Sequence, residues 1–311
     1  MSSKALLVGD NPFHNISHLS QERSRLRDGS AALPDRAADL ISKSLDNGAN
    51  GFMFSVSETT LSILERLQNL GEIDRLDLYP IVPYAYEYVR YATQAGGMMG
   101  LAKRFGRQLV SSRNLYAIAS GLKGVLRLNP EAIMKTYVAY EISRIKSATG
   151  KHAKIKSVLL HEVVTDMGLA LGFDWLFKEY SEYLRKKRIV PGFNTCNFPF
   201  LICKLKEWNI DLGNIVVAAP FNQVGFQMNP TKEDCEEALA RMDKAVTIAI
   251  SVLAAGYLKL PQAVEYIATL PNIKGVAIGI SKEEHATKTF KLLKEKITSD
   301  TYWNEQGKPA F

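Results

Sequence analysis

The sequence predicts a single (β/α)8 barrel, on three observations. Short apolar runs alternate with amphipathic segments eight times along the 311 residues. The runs are apolar throughout, which suits parallel strands covered on both faces. With 46% hydrophobic residues, the chain is long enough to bury one large barrel core over 1–311. A doubly wound open sheet is the alternative. It is weakened because no GxGxxG follows the first run.

The elements follow in order. "KALLVG" (4–9) reads as strand one. A helix is predicted over 35–48, with Pro34 at its start and Gly48 as its stop. Strand two is read at 49–57. The helix at 58–71 has apolar residues at Leu61, Leu64 and Leu67, with Ile63 alongside. Strand three is read at 76–84. The stretch 85–150 then breaks the rhythm and reads as an enlarged third βα connection with roughly 40 extra residues, a lid or an oligomer surface. Its last part, 129–150, predicts a strong helix with Pro130 just inside the start.

The alternation resumes with strand four at 155–163 and a helix at 174–188. Strand five (189–195), strand six (214–222), strand seven (246–256) and strand eight (274–281) follow, with helices at 198–209, 231–245, 260–271 and 282–297. The tail 301–311 is either a loose end or a cover over the barrel bottom.

Composition narrows the function classes. The formal charge is +7, but Lys and Arg are interleaved with Glu, as in "KTFKLLKEK" (288–296). That pattern predicts solvated helix faces and no nucleic-acid surface, while leaving room for an anionic small substrate. Cys196, Cys203 and Cys235 have no metal-type spacing, so a reduced, cytoplasmic protein is expected. Polar residues within the first dozen positions argue against a signal peptide. The most apolar segment, 246–255, is about half a membrane span, so no membrane partner is expected.

A barrel of this kind carries its site at the carboxyl ends of the strands. Position alone therefore selects candidates. Strand one delivers Asp10, Asn11 and His14; strand two, Ser55, Ser57 and Glu58; strand three, Tyr84, Tyr86 and Glu87. Strand four delivers His161 and Glu162; strand five, Asn194, Thr195 and Asn197; strand six, Asn222 and Gln223. Strand seven ends at Gly256, and strand eight at Gly279 and Ser281. His161, ending "SVLLH", is the most specific of these, as a general acid or base. Tyr84 can supply a proton, with Glu58, His14 and Asp10 as further catalytic candidates. Cys196 reads as a structural thiol. Gly256, Gly279 and Ser281 suit a phosphate-binding turn. His14, His18 and Glu22 form HxxxHxxxE, but Pro12 makes a loop or short helix the better reading.

From about Ser157 to Leu293 the sequence resembles the aldo-keto reductase superfamily. "SVLLH", "VPGFNTCN", "PFNQVGF", "IAISVLAAGYL" and "PQAVEYIATLPNIKGVAIGIS" carry the resemblance. It implies NADP as cofactor, His161 as the strand-four histidine, Asn194, Asn197 and Gln223 as nicotinamide contacts, and Gly279 and Ser281 in the cofactor-phosphate loop. The aminoterminal half departs from the pattern. The family's aspartate and tyrosine after strand two and its lysine ending strand three are missing from "FMFSVSETT" and "PIVPYAYE". The arginine expected for a 2′-phosphate is also absent, although Lys282 is adjacent. The expected function is a divergent NAD(P)-dependent oxidoreductase acting on a small molecule, possible as a homo-oligomer. The alternative is a lyase, isomerase or hydrolase on a polar or phosphorylated metabolite, with a divalent metal held by His14, His18, His161 and Glu58 as one version. A non-catalytic assembly protein is the third reading.

Overall fold

The computed structural model describes residues 4–14, 33–83, 129–150, 153–242 and 244–297. Nine parallel strands make one sheet: β1 (Ala5–Gly9), β2 (Gly51–Ser55), β3 (Asp77–Val82), β4 (Lys154–Ile155), β5 (Ser157–Leu160), β6 (Val190–Asn194), β7 (Val216–Pro220), β8 (Val246–Ile250) and β9 (Ile273–Gly279). The order β2-β1-β9-β8-β7-β6-β5-β3-β4, with β2 also paired to β3, closes the sheet on itself. β4 and β5 are parts of one barrel strand interrupted at Lys156. Its N–H still donates to Leu78 O, and its carbonyl accepts from Val190 N–H. The barrel therefore has eight staves, as the sequence predicts.

Nine helices are described: α1 (Leu33–Asp46), α2 (Glu58–Asn69), α3 (Pro130–Thr149), α4 (Glu162–Ala170), α5 (Asp174–Lys186), α6 (Phe198–Glu207), α7 (Lys232–Ala240), α8 (Leu260–Thr269) and α9 (Glu283–Ile297). Their starts are written locally. Ser57 and Thr60 form a capping box at α2, and Asn129 caps α3 ahead of Pro130. α3 packs on α2 and α5, so the end of the long third connection is itself the third barrel helix. Residues 84–128 lie outside the described set.

Two of the boundaries that differ from the sequence reading bear on the site. Strand seven stops at Ile250, because Ser251 turns to φ 52° and the chain enters a short 3-10 turn, Ala254–Gly256. Strand four stops at Leu160, and α4 begins at Glu162. Val163, read as the end of strand four, lies in the helix.

Alternation divides the core in two. Phe52, Phe54, Val158, Leu160, Phe193, Val217 and Val276 point outward into the layer between barrel and helices. Leu7, Met53, Tyr79, Ile81, Leu159, Ala218, Ile248 and Ala277 fill the barrel itself. Glycines make room for these larger side chains. A Cβ at Gly51 would lie 2.6 Å from Leu7 Cδ2 and from the Asp77 carbonyl oxygen, and one at Gly192 2.6 Å from Leu159 Cγ. Among the described residues no helix is long and apolar enough to cross a membrane.

Gly51→Ala should therefore overpack the barrel against backbone that cannot yield. The expected cost is about 1–3 kcal/mol, read by urea denaturation. A change within about 0.5 kcal/mol would show that the interior has slack there.

Candidate active site

A cavity of about 220 Å³ opens at the carboxyl ends of the strands. Its apolar lining includes Met53, Ile81, Ile250 and Ala277, continuous with the barrel filling. The rung above is polar, because the last inward positions of β1, β2 and β6 and the residue after β5 carry or flank polar groups. Asp10, Ser55, His161, Glu162 and Asn194 line it.

Asp10 follows β1 and is 5% exposed. Its Oδ2 accepts from the Ser55 N–H at 2.7 Å and lies 3.1 Å from His14 Nε2. One carboxylate thus pins the ends of two adjacent strands and the short 3-10 turn Asn11–His14. The Asp10–Ser55 bond gives Asp10 a fixed direction, and the buried charge has hydrogen-bonded partners.

His161 caps α4. Its Nδ1 accepts from the Val163 N–H at 3.2 Å, and its own N–H donates to Val82 O. The Nδ1 lone pair is therefore engaged, which puts the ring proton on Nε2. Burial pushes its pKa below the usual imidazole value, against the opposing pull of Glu162, Asp10 and Asp166. His161 is a neutral Nε2–H donor at neutral pH, surrounded by carboxylates.

Asn194, at the end of β6, is 6% exposed, and its Oδ1 has no hydrogen-bond partner. Beside it, Asp166 of α4 holds the following turn. Its Oδ1 accepts from Thr195 Oγ1 at 2.5 Å and its Oδ2 from the Cys196 N–H at 3.1 Å. Burial raises the Asp166 pKa, with these two donors pulling the other way. The Cys196 thiol lies 3.8 Å from Glu162 Oε2 and is pushed up to about 12 by burial and then by Glu162 and Asp166. It stays protonated and is a poor nucleophile, in keeping with a structural thiol.

The far rim is strained. Ser251 and Ala255 line the cavity with φ of 52° and 59°, and Gln227 with φ of 60°. Each such residue costs on the order of 1–3 kcal/mol, and such residues gather where ligands are gripped. Ser251 Oγ donates to Gln227 Oε1 at 3.1 Å, joining the segments that follow β8 and β7.

Of the sequence candidates, Asp10, Asn11, Ser55, His161, Glu162, Asn194 and Gly279 come together at the cavity, with His14 bonded behind Asp10. Others stand away from it. Glu58 opens α2 on the outside, where it accepts from Arg144 at 2.6 Å. Asn197 caps α6, and Gln223 is exposed and accepts from Gln262. Gly256 lies in the turn beyond the lining residue Ala255. The Ser281 carbonyl accepts from Arg36. Gly279 lacks a side chain because Pro12 sits where its Cβ would be, at 2.8 Å. Tyr84, Tyr86, Glu87, His18 and Glu22 lie outside the described residues. Among the described residues no cluster of three or more His, Cys, Asp or Glu has a metal-holding arrangement. The sequence reading missed Asp166, Gln227 and Ser251. Asp166 stands one helical turn after Glu162, a signal legible only once α4 is placed.

No family model and no curated protein matches the chain. Solved structures do. A Pseudomonas aeruginosa protein assigned to the aldo-keto reductases superposes with a TM-score of 0.59 at 13% identity, covering 96% of this chain and 92% of that one. An aldo-keto reductase from Klebsiella pneumoniae in complex with NADPH gives 0.52 at 12%, covering 94% and 90%. A glycerol dehydrogenase from Gluconobacter oxydans gives 0.50 at 10%, covering 94% and 92%. At these identities the likeness is one of fold: the chain has the same kind of (β/α)8 barrel as these aldo-keto reductases.

Two measurements check the site's protonation. His161 should titrate below 6.5 by NMR and show an Nε2–H tautomer at neutral pH; a midpoint above 6.5 would contradict the burial argument. At mildly alkaline pH a thiol-alkylating reagent should label exposed Cys203 and spare Cys196.

Proposed function

We propose that this chain is an enzyme that works on a carbonyl or hydroxyl oxygen of a small polar molecule held in the barrel mouth. In its most specific form it is a divergent NAD(P)-dependent oxidoreductase. The observation that carries this reading is the neutral His161 beside Asp10 in a cavity that Asn194 also lines. The likeness of the barrel to an NADPH-bound aldo-keto reductase supports the cofactor.

Asn194, which lines the cavity, offers a side-chain amide to the carboxamide of a nicotinamide. When bound, the nicotinamide supplies or accepts a hydride. The remaining work falls to this chain's own groups. His161 Nε2–H donates to the substrate oxygen and stabilises negative charge developing there, in a site walled by apolar side chains. Asp10, fixed by Ser55, raises the affinity of the imidazole for its proton and orients polar hydrogens of the substrate. The Ser251–Gln227 bond holds the opposite rim. This arrangement takes the place of the family's missing tyrosine and lysine, a role shared with Tyr84 in the sequence reading.

A second reading, acid–base chemistry without nicotinamide in a lyase or isomerase, draws on the carboxylates flanking His161. Among the described cavity-lining residues no Lys or Arg meets a phosphate.

Titration of NADPH fluorescence against the purified protein separates the two. Saturable enhancement below about 1 mM supports the oxidoreductase, and a flat response sinks it in favour of the second reading. On whichever small carbonyl or hydroxyl compound turns over, His161→Gln should lower kcat/KM by about 10²–10⁴-fold. An unchanged value would remove His161 from the chemistry.

A further inference from the structure

His161 and Asn194 reach the cavity from adjacent staves, yet the sheet ladder stops short of both. Pairing between β5 and β6 ends at Leu160 and Phe193, one residue before each of them. Beyond that pair the chains bond to their other neighbours. The His161 backbone N–H donates to Val82 O of β3, and the Thr195 N–H donates to Ala218 O of β7.

Asp166 of α4 bridges this gap. Its Oδ1 accepts from Thr195 Oγ1 and its Oδ2 from the Cys196 N–H. Both oxygens act as acceptors. An amide N–H only donates, and Thr195 Oγ1 already accepts from the Asn197 N–H at 2.9 Å, which leaves its own proton for Asp166. The same helix sends Glu162 to the Cys196 thiol. Like charges four residues apart weaken a helix, and here the donors across the gap offset that cost. The other attachments of α4 lie elsewhere. Thr165 Oγ1 donates to Leu160 O at 3.3 Å, and Gly168 brings the second turn against Phe177 of α5. In the first turn Val163 faces solvent and Val164 is half-buried.

We propose that Asp166 is a positioning residue of this site: it clamps the helix that begins at His161 to the turn that follows Asn194. Asp166 is not among the residues lining the cavity, so it acts through the groups it holds. The clamp sets the spacing of two polar groups that adjacent staves present to a ligand. A misplacement of about 1 Å in such a spacing can cost about a hundredfold in rate. The inference rests on the reading of the mouth as an active site and adds the group that holds it together.

Two variants of the full-length protein test it. Asp166→Asn leaves one acceptor for two donors, and Thr195→Val removes one donor while keeping the carboxylate. Amide hydrogen exchange followed by NMR reads the clamp at Val163, whose N–H donates to His161 Nδ1. Both variants should speed Val163 exchange at least about fivefold and leave Leu159, inside the barrel, unchanged. The His161 titration separates the clamp from a simple charge effect. Its midpoint lies below 6.5 because burial outweighs Glu162, Asp10 and Asp166. Loss of a carboxylate alone would lower the midpoint further, whereas loss of the clamp admits water to the ring and raises it toward 6.5 in both variants. The proposal is overturned if, in either folded variant, Val163 exchange falls short of that increase or the midpoint stays or drops. Should Asp166→Asn fail to fold, Thr195→Val decides alone, since it cuts one bond and keeps the charge. Neither readout depends on turnover. A flat NADPH response with raised midpoints would remove the oxidoreductase reading and leave the clamp; saturable NADPH binding with unchanged exchange would do the reverse.

Discussion

The rest of the structure depends on a steric constraint inside the barrel: each stave can place only one side chain at each level. Leu7, Tyr79, Leu159 and Ile248 take the available volume, and Gly51, Gly192 and Gly275 give it up. Because strand side chains alternate, fixing that layer fixes which residues stand two positions further along. Ser55 follows Met53, His161 follows Leu159, and Asn194 follows Gly192. The polar ring of the mouth is thus an arithmetical result of how the apolar layer beneath it is packed. A one-residue slip in β5 or β6 would turn His161 or Asn194 toward the helix layer and an apolar side chain toward the cavity.

Within that ring, electrostatics and hydrogen bonding work against each other at His161. Three carboxylates favour its protonation, and burial opposes it more strongly. Because its pKa is lowered, the unfolded chain holds the proton more tightly than the folded one. His161 therefore contributes stability that is present above the unfolded value near 6.5 and lost as pH falls below it. Asp166 has the opposite shift, raised by burial, so its ionisation weighs against the folded state as pH rises through the carboxylate range. His161 and Asp166 are thus two neighbouring groups whose charged forms burial disfavours, an arrangement common at functional sites.

Much of this was legible in the sequence, for physical reasons. Eight apolar runs read as eight staves because parallel strands covered on both faces need no polar alternation. The strand-end rule then picked out Asp10, His161, Asn194 and Gly279 without reference to any other protein. Errors came where an apolar run outlasted its strand. "LLHEVV" hides the start of α4, and with it Asp166; "AISVLAAG" hides the turn at Ser251, so Gly256 was placed one step too near the cavity. Glu58 was misplaced for a different reason. Ser57 caps α2, which sends the next residue outward to Arg144 rather than over the barrel. Gly279 reads as a gap left for phosphate, but the occupant of the gap is Pro12, a contact between distant parts of the chain that no local pattern encodes.

His161 belongs to two structures at once, the cavity wall and the first turn of α4. The Val163 amide holds the Nδ1 lone pair, so the helix start and the ring's neutrality are reciprocal: whatever places a proton on Nδ1 also uncaps the helix, and whatever frays the helix makes the ring more basic. The first turn of α4 carries Val163, which is largely solvent-facing, followed one and two turns on by Met167 and Leu171 on the same exposed stripe. One hydrogen bond thereby joins a residue of the cavity wall to the first turn of a helix whose outer face carries apolar side chains.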